Sequence, residues 1–277
     1  MHRVNNNAIM STFNDQILIT WDEKERRQIM KNMMKKAVVL ALAGTMAMGI
    51  FAGCGKSSDT LVMATNATFP PYEYHEGNSI VGIDVEIANA IGGKIGKKIE
   101  IEDVEFDSIV AGVQSGKYDF GMAGMTVTDE RKKNVNFSDP YTTAVQSVIV
   151  PEDSAIASVD DITSDMKIGV QQGTTGDIYA SGDYGEDAVT KYKSGPDAVQ
   201  ALLAGKVDLV IIDNQPAKSY VAANEGLKIL DTAYAEEEYA IAINKQNDEL
   251  LKEVNTALSE LQADGTIDSI IKKYIKD

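Results

Sequence analysis

Short apolar runs with strand character alternate with amphipathic runs of helical period along most of this chain, and that alternation restricts it to an α/β architecture. The segments "TLVMATN", "KIEIEDV", "YDFGMAG", "KIGVQQ", "VDLVIID" and "EYAIAIN" read as strands. Between them, "DVEIANAIGGKI" places Ile87, Ile91 and Ile95 on one helical face. Near the end, "DELLKEVNTALSELQADG" puts Leu250, Leu251, Val254, Ala257, Leu258 and Leu261 on a single stripe. Gly265 stops that helix and "TIDSIIKKYI" starts another. One layout occurs twice: "VQSGKYDFGMAG" (113–124) and "LLAGKVDLVIID" (202–213) each run from a helix end through Gly-Lys-x-Asp into an apolar strand, 89 residues apart. Together these features predict two α/β lobes of about 100 residues each.

The N-terminal part obeys different rules. Residues 30–53, "MKNMMKKAVVLALAGTMAMGIFAG", have a basic start at Lys31, Lys35 and Lys36 and then an uncharged run, the order of an export signal. The run from Ala37 to Gly53 is 17 residues long and rich in Ala and Gly, short of the roughly 20 strongly apolar residues that a spanning helix prefers. Cys54, the single cysteine of the chain, follows at once. Residues 1–29 fit no part of such a signal. They read as a leader from a start assigned too far upstream, with Met30, Met33 or Met34 as the start. Residues 54–59 form a polar tether.

Charge and residue inventory exclude several function classes. Residues 1–53 hold 7 of the 26 Lys and Arg and 4 of the 42 Asp and Glu, so the remainder carries 19 against 38, a net of −19. Nucleic acid and anionic headgroups call for clustered Lys and Arg, so no nucleic-acid partner is expected. Beyond Cys54 there is no thiol to form a disulfide, and His75 is the sole histidine after residue 2. Zinc or copper chemistry and a histidine-based triad are therefore not expected, and neither is a cofactor.

The chemistry falls at strand ends. The echoed strands run into Gly124-Met125-Thr126 and into Asp213-Asn214-Gln215, and open α/β sheets bind ligands beyond the carboxyl ends of their strands. After the first comes "TDERKK", where Thr128 or Asp129 caps a helix and Arg131 falls in its first turn. A helix N-terminus disfavours cations, so an arginine there suggests that an anion arrives from outside. An arginine fork binds a carboxylate through two hydrogen bonds, and a carboxylate opposite it suits an ammonium. Arg131 and Asp213 on opposed lobes would complement a zwitterion, the smallest common one being an α-amino acid. "GVQQGTTGD" (169–177) adds a turn at Gly173-Thr174-Thr175-Gly176 whose amides and hydroxyls make an anion seat.

The segments "ATNATFPPYEY", "VGIDVEIANAI", "GMTVTDERKKNVNFSDPY", "GVQQGTTGD" and "VIIDNQPA" resemble, in order, the polar amino-acid-binding proteins of ABC importers, from about Leu61 to Tyr274. "FAGC" is similar to the lipobox of bacterial lipoproteins, in which the cysteine is lipidated. The resemblance implies a two-lobed periplasmic-binding-protein-like fold (type II), each lobe a mixed sheet flanked by helices, joined by two hinge strands. Lobe 1 would span 60–143 and 238–277, and lobe 2 147–233. Carried over position by position, Arg131 would grip the α-carboxylate with the amides of Thr126 and Thr175. The α-amino group would meet Asp213, the Thr126 hydroxyl and the Gly124 carbonyl. Phe69 and Phe106 would sandwich the side chain, while Asn66, Gln171, Met125 and Thr174 complete the site.

Asn66 stands where several members carry Asp, which with Gln171 favours a neutral amide or hydroxyl. "GVQ" with "DNQPA" also resembles arginine-binding members, so a neutral polar or a basic ligand is expected. The implied partners are a polar L-amino acid, an importer permease and the outer face of a membrane reached through lipidated Cys54 (the periplasm where there are two membranes). A monomer is expected. The alternative is an enzyme on the same fold, such as a cyclohexadienyl or arogenate-type dehydratase, for which Glu73 is the candidate acid. The acidic run Glu236-Glu237-Glu238 reads as a solvated edge.

Overall fold

The computed structural model describes residues 59–276. The leader, the signal-like run, Cys54 and the tether up to Ser58 lie outside the described residues. In chain order the strands are β1 (Thr60–Thr65), β2 (Thr68–Phe69), β3 (Glu73–Glu76), β4 (Ser79–Val81), β5 (Lys98–Asp103), β6 (Phe120–Gly121) and β7 (Val135–Phe137). They continue with β8 (Thr142–Pro151), β9 (Ile168–Gln171), β10 (Val189–Tyr192), β11 (Leu209–Asp213), β12 (Leu227–Ile229), β13 (Ala235–Tyr239) and β14 (Ala242–Asn244). The helices are α1 (Ile83–Ile95), α2 (Phe106–Gln114), α3 (Asp129–Lys132), α4 (Thr175–Tyr184), α5 (Gly195–Leu203), α6 (Asn214–Ala223), α7 (Asp248–Ala263) and α8 (Thr266–Tyr274).

Two mixed sheets organise these elements. The first has the order β5-β1-β6-β14-β7, with β1 parallel to β5 and β6, and β14 antiparallel to β6 and β7. The second has the order β10-β9-β11-β8-β12, with β9 parallel to β10 and β11, and β8 antiparallel to β11 and β12. Strand β14 returns to the first sheet after the second is complete, so the chain passes between them twice. Both passages use one ribbon: Thr142–Gln146 of β8 pairs antiparallel with Tyr239–Ala235 of β13.

Local sequence explains which face each element buries. Every residue of β9 and β11 is buried, as expected for near-continuous apolar strands covered on both faces. On α7 the stripe Leu250, Val254, Ala257, Leu258 and Leu261 is 0–4 % exposed and packs with α1 and α8; Leu251 is half-buried. Two expected strands differ. "YDFGMAG" keeps strand pairing only at Phe120–Gly121, because Gly124 (φ +52°) turns the chain away from the sheet. "EYAIAIN" is divided between β13 and β14, which belong to different sheets.

The start of α1 anchors the loop that leads into β3. Ile83 and Asp84 donate their N–H groups to the carbonyls of Pro71 and Tyr72 at 3.0 Å each. Gly82 precedes them with φ +132°, and a Cβ there would lie 2.1 Å from the Tyr72 oxygen. Gly82→Ala should therefore destabilise the protein by about 2–5 kcal/mol. Gly93→Ala, in open space on the same helix, should be neutral or stabilising by up to about 1 kcal/mol. Denaturant unfolding of the two variants checks this; equal midpoints would refute the close approach at Gly82.

Candidate functional site

Four strand ends converge on one cleft. The chain leaving β1 supplies Asn66, that leaving β6 supplies Ala123, Gly124 and Thr126, while β9 ends at Gln171 and β11 at Asp213. With Phe69, Glu73, Phe106, Arg131, Thr174 and Thr175 they line one tightly closed cavity of about 10 Å³, room for about one water. Of the residues expected from sequence, all line it except Met125. That side chain is fully buried in the core with Ile109 and Val135, and its carbonyl accepts from the Ala240 N–H at 3.1 Å.

Arg131 is 7 % exposed. Helix α3 is a single turn capped by Thr128, whose Oγ1 accepts from the Arg131 N–H at 3.2 Å. So short a turn carries little dipole, and the mismatch expected from sequence is small. Tertiary contacts hold the guanidinium instead. One nitrogen donates to the Thr126 carbonyl at 2.6 Å and the other to the Gly173 carbonyl, beyond the second sheet, at 3.0 Å. The Phe106 ring lies beneath it, 5.3 Å from centroid to Cζ. Among the described residues no carboxylate pairs with it within 4.0 Å. Burial lowers its pKa, opposed by Glu237 and Asp213. A guanidinium has five N–H donors, so this one can still receive a carboxylate.

The opposite wall is rich in carboxyl groups. Asp213 accepts a short hydrogen bond from the Tyr239 hydroxyl; burial first, and the Glu237 charge second, push its pKa up to about 7. Glu73 is 1 % exposed, and its carboxyl is hydrogen-bonded to that of Asp84. Burial and the nearby Asp84 carboxylate push its pKa well above the usual range. Asp84, fully buried, accepts from the Gly124 N–H at 2.8 Å and the Tyr141 hydroxyl at 2.9 Å, and burial raises its pKa to about 6. It thereby holds the Gly124 backbone, where a Cβ would stand 2.9 Å from the Phe69 ring.

The neutral polar residues largely satisfy each other. Asn66 Oδ1 accepts from Gln171 Nε2 and Thr68 Oγ1, each at 2.9 Å, and Asn66 Nδ2 donates to the Val104 carbonyl at 2.8 Å. The Thr174 hydroxyl donates to the Gln171 carbonyl at 2.7 Å and caps α4. Thr175 begins α4, whose leading N–H groups have no partner within the helix.

Sequence reasoning missed Asp84 and misread Glu237, which is 6 % exposed and no part of a solvated edge. Both had a signal. Asp84 shares a helical face with the buried Ile87 and Ala88. Glu237 lies two residues before Tyr239 on a strand, and residues two apart face the same way.

Comparison with known proteins bears on this arrangement. Residues 61–277 match the model for bacterial extracellular solute-binding proteins, family 3. The arginine-binding extracellular protein of Bacillus subtilis (strain 168) is 34 % identical over 253 residues, 87 % of this chain and 98 % of that one. An ancestral arginine-binding protein bound to glutamine is 41 % identical with a TM-score of 0.75, across 79 % of this chain and 99 % of that chain. An ancestral arginine-binding protein bound to arginine is 42 % identical with a TM-score of 0.74, across 78 % and 98 %. These neighbours have the two-lobed fold and are binding proteins rather than enzymes.

The raised pKa of Asp213 has a consequence for stability. Through the window from 3.8 to about 7 the folded carboxyl keeps a proton that the unfolded chain has shed. Stability is therefore lost as the pH rises through that window. The ligand-free protein should melt lower at about pH 8 than at about pH 5, and Asp213→Asn should flatten that slope. Thermal melts at both pH values check it; an unchanged slope would show that Asp213 does not titrate late.

Proposed function

We propose a function from the premise that this chain belongs to the bacterial extracellular solute-binding proteins, family 3: it captures a polar L-amino acid outside the cytoplasm and delivers it to an ABC importer. The observation that carries the reading is the pairing of a buried Arg131 with a buried Asp213 across one cavity. In this reading the guanidinium receives the α-carboxylate, helped by the leading amides of α4. Asp213, the Gly124 carbonyl and the Thr126 hydroxyl receive the α-ammonium, whose charge lowers the Asp213 pKa and makes binding release a proton. Phe69 and Phe106 flank the side chain. Export and lipidation at Cys54 would keep such a receptor at the membrane carrying its permease, and one copy of the chain contains every residue of the site.

Glu73 favours a basic side chain. Asn66 and Gln171 hydrogen-bond to each other, whereas the Glu73 carboxyl lines the cavity with the Asp84 carboxyl as its partner and no cation beside it among the described residues. A buried carboxylate is stabilised by a cation that also donates hydrogen bonds, which a guanidinium does through two parallel bonds. The relative and both ancestral neighbours named above are arginine-binding proteins, which supports the same reading. The glutamine in one of them shows that a neutral amide also enters a site on this fold.

Two measurements test these assignments. A thermal-shift panel of L-amino acids, on protein unfolded and refolded to remove carried ligand, should respond to arginine or a close analogue. At 100 times its Kd a ligand adds about 2.7 kcal/mol. Arg131→Ala should weaken binding by roughly 100-fold or more with the fold intact. Silence from every amino acid in the wild-type protein, or undiminished affinity in the variant, would reject the site.

The second measurement is proton release by calorimetry in two buffers of different ionisation enthalpy. Arginine, by ionising Glu73, should release on the order of one proton more than glutamine does, and its affinity should rise with pH until Glu73 is ionised in the free protein. Glu73→Gln should abolish the difference. Equal release by both ligands in the wild-type protein would count against a basic side chain at Glu73.

A further inference from the structure

Glu237 is buried, charged and outside the cavity wall. On β13 its neighbours Glu236 and Glu238 are exposed, while Glu237 is 6 % exposed. One of its oxygens, Oε2, accepts from the Thr126 hydroxyl at 3.0 Å and from Gln146 Nε2 at 2.9 Å. The same Gln146 nitrogen reaches the Thr175 hydroxyl at 3.3 Å, and the Thr126 and Thr175 hydroxyls are 3.5 Å apart. Glu237 and Gln146 thus stand behind two hydroxyls that line the cavity from opposite sheets.

Hydrogen-bond direction follows from what each group can do. A carboxylate only accepts, and a threonine hydroxyl has one proton. With that proton directed at Glu237, Thr126 Oγ1 offers only lone pairs to anything else. Gln146 donates to Thr175, so a Thr175 lone pair is engaged and its own proton is left to point at Thr126 or at a ligand oxygen. The two hydroxyls, chemically identical in the sequence, are polarised in opposite senses. Thr126 accepts, which suits an ammonium; Thr175 donates, which suits a carboxylate.

We propose that Glu237 is a positioning residue of this site: by taking the Thr126 hydroxyl proton it keeps Thr126 Oγ1 facing the cavity as an acceptor and fixes which end of a zwitterion sits there. The inference rests on the amino-acid-binding reading above and deepens it. Without the carboxylate, the Thr126 hydroxyl can turn and donate into the cavity, and the distinction between the two ends weakens. Gln at this position keeps an oxygen for both donors, so the directional effect belongs to the acceptor and not to the net charge.

The test compares each amino acid with its analogue lacking the α-amino group: L-arginine with 5-guanidinopentanoic acid, and L-glutamine with 4-carbamoylbutanoic acid. The readout is the affinity ratio within a pair, taken for whichever pair the wild-type protein binds. Glu237→Ala should reduce the ratio by roughly 10- to 100-fold, the range of a hydrogen bond to a charged group, by weakening the amino acid more than the analogue. Thr126→Val should reduce it similarly, and adding it to Glu237→Ala should change the ratio little further. Glu237→Gln should keep the ratio within about threefold of wild type.

A role confined to packing would weaken both members of a pair equally and leave the ratio unmoved. That result in a folded Glu237→Ala protein overturns the proposal. Should Glu237→Ala not fold, an intact ratio in Thr126→Val or a collapsed ratio in Glu237→Gln overturns it. A wild-type protein that binds neither arginine nor glutamine overturns the proposal for those ligands. Amino-acid binding with unmoved ratios would remove this inference and leave the broader function standing.

Discussion

The site depends on a guanidinium shared between the two sheets. Arg131 reaches back to the Thr126 carbonyl beside its own helix turn and forward to the Gly173 carbonyl beyond the second sheet. Its charge is buried against an aromatic face with only carbonyl dipoles as partners, and an isolated buried cation of that kind is costly. A carboxylate delivered to it satisfies the remaining donors and neutralises the charge. On the proposed reading, the residue that receives the ligand also joins the sheets through the Gly173 carbonyl, so occupancy and closure would be stabilised together.

The far wall reverses the electrostatics. Glu73, Asp84 and Asp213 crowd a region where burial disfavours their ionised forms. Near neutral pH Glu73, and in part Asp213, hold protons that a cation would displace, while Asp84, raised only to about 6, is mostly ionised. The cavity is therefore a proton-loaded acceptor of positive charge, with one fixed cation at the opposite end. On the proposed reading, a zwitterion would match the two poles and a basic side chain the surplus at Glu73. Tyr72, Tyr141 and Tyr239 surround these carboxyls with rings that exclude water while leaving hydroxyls within reach.

Much of this was legible in the sequence because it lies in local pattern. Alternating strand and helix periods announced the α/β class, and the repeated Gly-Lys-x-Asp layout marked the two strands that end at the site. Arg131 and Asp213 stood out as charges placed at strand ends. What could not be read locally depends on register between distant strands. Glu237 looks like one of three solvated acids until β13 is paired with β8. Asn66 and Gln171 look like two independent specificity determinants until the fold brings them within a hydrogen bond, which removes most of their claim on a ligand. Met125 illustrates the opposite error: its backbone lies between the cleft residues Gly124 and Thr126, but its side chain packs into the core.

Strand β8 gives these parts a mechanical relation. Its first half, Thr142–Gln146, pairs with β13 in the ribbon between the sheets, and its second half is interior to the second sheet, bonded to β11 and β12. One continuous strand of ten residues therefore links the ribbon to the interior of the second sheet, with Gln146 at the junction. Gln146 stands opposite Asp213 on one side and Ala235 on the other. The ribbon between the sheets is therefore joined directly to the strand that ends at Asp213, with no loop between them.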